Sequence, residues 1–162
     1  RANNPIPPQC KLFYFEVDII DEGKNKLIGI GYCEKSVNLN GLMPGYDYYS
    51  WGYDGNDGYY WNSRYGNKYG PSFSTGDTIG CCLNFKTNNV FYTKNGINLG
   101  IASRNLNGTL YPCVGLGLQG ESIEVNFGSK KFKYAGNDEL LCICFFFLIC
   151  NLIHKFFVNS DY

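Results

Sequence analysis

The side chains that could do chemistry are few and poorly placed for it. The chain of 162 residues holds one histidine, His154, inside an apolar C-terminal run. A Ser-His-Asp or Cys-His arrangement therefore cannot be built in the region before it. Glu16, Asp18, Asp54, Asp57 and Asp77 are left as candidates for the paired-carboxylate chemistry of β-rich glycosidases. Glu16 and Asp18 share one face of a strand, where outward charges are ordinarily just solvated. Asp54-Gly55-Asn56-Asp57-Gly58 opens like a calcium loop, but Tyr65 stands where an EF-hand needs a bidentate Glu. It reads instead as a turn held by Asx hydrogen bonds. Gly115-Leu116-Gly117-Leu118-Gln119-Gly120 matches the dinucleotide pattern letter for letter. That pattern needs a following helix to meet the pyrophosphate, and 121–127 alternates as a strand. Eight cysteines include no Cys-x-x-Cys pair and no histidine partner for zinc. Cys10, Cys33, Cys81, Cys82 and Cys113 lie in or beside predicted strands and read as structural thiols of a reducing compartment. No catalysis, cofactor or metal is expected.

What remains is surface for binding. Tyr46, Tyr48, Tyr49, Tyr59, Tyr60, Trp61 and Tyr65 crowd into stretches rich in Gly, Asn and Asp. Loops cannot bury that much ring area unless they fold over a scaffold. Tyr and Trp give large contact area for few rotors and are favoured in binding surfaces. The competing reading is that individual rings pack locally to stiffen the loops, with Trp51 in particular in the core.

The scaffold reads as all-β. Formal net charge is zero, so nothing points to nucleic acid or an anionic membrane. Fourteen tyrosines and 20 glycines favour strands and tight turns over helices. Proline-punctuated 1–9 is an extended lead-in. In 11–20, Phe13, Phe15, Val17 and Ile19 point one way and Tyr14, Glu16 and Asp18 the other. A turn at 21–25 leads to a strand at 26–33, with Ile28, Ile30 and Tyr32 on one face. Gly29 and Gly31 on the other face would let another layer approach closely. The stretch 34–49 is strand-poor, 50–53 a short strand, and 59–65 a loop or short edge strand. A meander follows: Ile79, Cys81, Leu83 and Phe85 alternate with Gly80, Cys82 and Asn84, 87–89 breaks the run, and 90–93 resumes it. Asn95-Gly96 then predicts a type I′ hairpin turn. Strands at 111–118 and 122–127 complete a sandwich-like pattern.

Specific blocks then appear in order: Phe13-Tyr14-Phe15-Glu16-Val17, Ile28-Gly29-Ile30-Gly31, Pro44-Gly45-Tyr46, Ser50-Trp51-Gly52-Tyr53-Asp54-Gly55 and Tyr69-Gly70-Pro71-Ser72-Phe73. Gly76-Asp77-Thr78-Ile79-Gly80-Cys81-Cys82, Phe91-Tyr92-Thr93-Lys94-Asn95-Gly96 and Leu110-Tyr111-Pro112 follow. Over residues 1–134 the chain resembles a SPRY domain, most closely the Ran-binding-protein-M type. The resemblance implies a bent antiparallel β-sandwich of the concanavalin-like jelly-roll kind without enzymatic activity. It also implies an end-loop surface that binds a peptide segment of a protein partner, within a scaffold of a CTLH/GID-type ubiquitin ligase. Carried over by position, the peptide-binding residues fall at Tyr59, Tyr60 and Trp61 and at Leu118 and Gln119; the aromatic loop adds Tyr46 and Tyr49. Relatives that read an Asn-rich peptide have tryptophan-glycine where this chain has Leu118-Gln119, so the resemblance does not extend to that peptide specificity. The alternative class is a carbohydrate-binding or carbohydrate-active sandwich using the same aromatic loops.

Residues 135–162 depart from the pattern. The run 140–150 is apolar but shorter than the roughly 20 residues of a bilayer span. Extending it to Val158 takes in Asn151, His154 and Lys155, which are costly inside a membrane. Three readings stand: a membrane anchor, a segment packed on the sandwich, or non-coding sequence translated through a faulty gene model. Composition and the abrupt loss of resemblance favour the last. The start lacks both a signal-peptide core and an initiator methionine, so a fragment is expected. The Asn107-Gly108-Thr109 sequon would matter only in a secreted chain. Cytoplasmic or nuclear residence is expected, with membrane attachment only if 140–158 is an anchor.

Overall fold

Alternating side chains build two sheets that face each other. A computed structural model describes residues 1–40, 43–117 and 119–136. Ten strands follow in order: β1 Leu12–Asp21, β2 Ile28–Glu34, β3 Ser50–Asp54, β4 Tyr59–Asn62, β5 Tyr65–Lys68, β6 Thr78–Asn84, β7 Asn89–Lys94, β8 Ile97–Arg104, β9 Leu110–Leu116 and β10 Ser122–Asn126. No helix occurs among the described residues. One antiparallel sheet has the order β10-β1-β6-β7-β8 and the other β5-β4-β3-β2-β9. Their inner faces close on one core: Phe13, Phe15, Val17 and Ile19 meet Ile28, Ile30, Tyr32, Trp51 and Tyr53, with Ile79, Cys81, Leu83, Val90 and Tyr92 beside them. The alternation in β1 and β2 and the core position of Trp51 are as the sequence indicates.

The turns follow their chemistry. Asn95 and Gly96 both take positive φ, 52° and 82°, as a type I′ turn requires. The lead-in stays extended along β9, where Ala2 N–H and Ile6 N–H donate to the carbonyls of Pro112 and Leu110. The region 59–65 is a correction in part. It is not a loop but the start of a hairpin, β4–β5, whose two-residue turn places Ser63 and Arg64 at φ 48° and 81°. Phe85 is also corrected: it lies past the end of β6 and is exposed.

Glu16 departs from the solvated charge that alternation suggests, being 3% exposed. Its carboxylate accepts hydrogen bonds from Tyr14 Oη at 2.9 Å and from the backbone N–H groups of Lys133 and Tyr134, both at 3.0 Å. Those bonds fasten the segment 132–134 over the outer face of the β1 sheet, where Phe132 and Tyr134 cover Tyr14 and Cys82.

No helix among the described residues is long and apolar enough to cross a membrane. The run 140–158 lies outside the described residues, as does Leu118.

Candidate peptide-binding surface

The outer face of the second sheet is paved with small residues. Registry puts Gly29, Gly31, Gly52, Cys113 and Gly115 on that face, opposite the core-facing Ile28, Ile30, Tyr53 and Trp51. The strand-poor connection folds back onto this floor. A Cβ on Gly52 would lie 2.3 Å from the Pro44 carbonyl oxygen, and Met43 and Pro44 also press on Gly29 and Gly115. This is the close approach expected of Gly29, here made by the chain's own loop.

Ser50, 1% exposed, organises the return. Its hydroxyl donates to the Asp47 carbonyl at 2.7 Å and accepts from Gly45 N–H at 2.9 Å. The turn so held sets Tyr46 on Trp61, with ring centroids 4.6 Å apart, and Tyr59 flanks Trp61 at 6.3 Å. Trp61 is opposite Gly66 on β5, whose missing side chain makes room for the indole. The indole N–H is covered and has no acceptor among the described residues. Lys68 Nζ stands 5.6 Å over the Tyr59 ring.

Beneath this row Asp54 is 3% exposed and accepts Tyr46 Oη at 2.7 Å and Asn56 N–H at 2.9 Å. Burial outweighs those two bonds and raises its pKa above the ordinary carboxylate value. The Asx turn read at 54–58 is present, with Tyr59 N–H also donating to Asp57 Oδ1 at 2.9 Å. No cluster of three His, Cys, Asp or Glu among the described residues is placed to hold a metal ion.

The predicted residues therefore divide. Tyr46, Tyr59 and Trp61 form one half-buried aromatic row. Tyr60 does not join it. Strand alternation turns it inward, 3% exposed against Tyr69 and Tyr92, so it is a core residue and no contact for a ligand. Tyr49 is 58% exposed but lies beyond the start of β3, about 17 Å along the strand from Asp54. There it neighbours Tyr48, whose ring lies under Arg64 at 4.3 Å. Gln119 is exposed at the Tyr59 end of the sheet. Since β3 and β2 intervene between β4 and β9, it stands about 14 Å aside. Its loop is tied to Leu27, whose N–H donates to Glu121 Oε1 at 3.1 Å. Ser50, Asp54 and the Met43-Pro44 pad are the positioning residues that periodicity alone does not reveal.

Comparison with known proteins agrees with this architecture. The family model described as "SPRY domain" matches residues 12–130. A "Ran-binding proteins 9/10 homolog" of Drosophila melanogaster is 51% identical over 135 residues, which is 83% of this chain and 14% of that protein. "Ran-binding protein 9" of Xenopus laevis is 50% identical over 139 residues, 85% of this chain and 25% of that protein. The chain thus spans a quarter or less of these two relatives. The "Crystal structure of human SPRY domain" superposes with a TM-score of 0.70 at 28% identity, covering 80% of this chain and 84% of that one.

Proposed function

Given that the chain belongs to the SPRY domain family, we propose that it is a non-catalytic module that binds a peptide segment of a protein partner. The binding surface is the outer aromatic row and the loops at its Gln119 end. The observation that carries this reading is the half-open row Tyr46–Trp61–Tyr59, held on a glycine floor by Ser50. Rings fixed in this way offer contact area at little further entropic cost. The resemblance to the Ran-binding-protein-M type is the ground for the further proposal that the module sits in a CTLH/GID-type ubiquitin ligase scaffold.

The test is affinity capture from native extract with the full chain, beside a Tyr59→Ala/Trp61→Ala double variant of unchanged circular dichroism. Proteins captured by the parent and lost by the variant would support the surface. Ligase subunits among them would support the assembly. An identical set on both proteins would overturn the surface assignment.

A further inference from the structure

The outer floor of the second sheet holds two thiols the binding surface does not use. Gly31 pairs with Cys113 and Cys33 with Tyr111, so Cys33 and Cys113 are diagonal neighbours on one face of adjacent antiparallel strands. They form a small cluster with Tyr111, covered by Val37. Arg1 stands over it, its guanidinium 5.3 Å from the Tyr111 ring and donating to the carbonyls of Glu34 and Lys35.

The geometry points to Cys33 and Cys113 as a peroxide-sensitive thiol pair that closes to a reversible disulfide across β2 and β9. Cys33 is the attacking member. Hydrogen bonding from the Cys113 thiol lowers its pKa against the opposing effect of burial, and the positive charge of Arg1 adds to the lowering. Burial instead raises Cys10, Cys113 and Cys81, the last to about 12. The Cys33 sulfur attacks one oxygen of hydrogen peroxide, the O–O bond breaks, and the departing hydroxide leaves as water with the thiol proton. Cys113 sulfur then attacks the sulfenic acid, the S–O bond breaks, and a second water leaves with the Cys113 proton. Two thiols are oxidised and one peroxide is reduced.

Both sulfurs are covered, so reaction follows local opening of 35–40, a segment mostly exposed to solvent. Diagonal neighbours lie about 7–8 Å apart, just beyond what a disulfide spans without backbone movement. Closure therefore needs a local shear of β2 along β9, and the strained link yields readily to a dithiol reductant.

The test treats the full chain with hydrogen peroxide, alkylates the remaining thiols, and maps the cysteines by mass spectrometry. The expected result is a Cys33–Cys113-linked peptide that dithiothreitol removes, with Cys81 and Cys82 still reduced. In Cys113→Ser, dimedone should trap a sulfenic acid on Cys33. In Cys33→Ser, oxidation of Cys113 should slow at least tenfold. The proposal is overturned if both thiols stay reduced while Cys10 oxidises, if Cys33 links elsewhere, or if dimedone labels Cys113 first.

Discussion

The two outer faces of the sandwich are both covered by the chain's own segments, but one cover is anchored on a carboxylate that takes backbone N–H groups and the other leaves its rings half open. On the β1 sheet, the segment after β10 is fastened by a buried carboxylate that takes two backbone N–H groups and a tyrosine hydroxyl. On the other sheet, the connection before β3 rests on a glycine floor, is held there by Ser50 and by Tyr46 Oη on Asp54, and leaves a row of rings half in water. A cover held by satisfied, desolvated hydrogen bonds costs much to lift. A cover that leaves its rings half in water can present apolar surface to a second chain. On the proposed reading, the first cover serves stability and the second recognition.

The largest effect should come from breaking the first cover. Glu16→Ala leaves the Lys133 and Tyr134 N–H groups without their acceptor, a loss of roughly 2–5 kcal/mol in chemical unfolding. Partner affinity of the remaining folded protein should be unchanged. Gly52→Ala attacks the second cover. The new methyl would meet the Pro44 carbonyl at 2.3 Å, costing about 1–3 kcal/mol and weakening binding as well, because the pad carries Tyr46. If Gly52→Ala lowered stability and left affinity intact, the division between the faces would be wrong. A smaller change sharpens it: Trp61→Phe keeps a ring on the row but reduces its area. About 1 kcal/mol of binding, read by titration calorimetry, should be lost with that contact area.

How much of this was legible in the sequence depends on the range over which each feature is set. Phe13, Phe15, Val17 and Ile19 face the core because a two-residue period is local, and Asn95-Gly96 turns because its two residues admit positive φ. Ser63-Arg64 makes the same kind of turn without a glycine or asparagine, so the β4–β5 hairpin read only as a loop or short edge strand. That reading placed Tyr60 beside Tyr59 and Trp61, whereas alternation along β4 buries it. Glu16 looked solvated because the groups that desolvate it are 117 and 118 residues away. The aromatic composition of the surface was visible. Its division between the row, the Tyr49 end and the Gln119 loop depends on strand order, which no local pattern carries.

Asp54 gives the smallest and most specific test, because it lies beneath the open face as Glu16 lies beneath the closed one. Its folded-state pKa is raised above the ordinary value of 3.8, chiefly by burial. The folded protein therefore holds this proton to higher pH than the unfolded chain. Stability from this group is greatest in acid and falls as pH rises through the window between the unfolded and folded values. Asp54→Asn cannot ionise but can still accept from the Asn56 N–H and meet the Tyr46 hydroxyl. Relative to the parent, its stability should improve as pH increases from about 4 towards neutral and then level off. Denaturant midpoints across that range measure the difference. A gap that stayed flat, or moved the other way, would mean the carboxylate is solvated, and the Tyr46–Trp61 cover would then be looser than its packing implies.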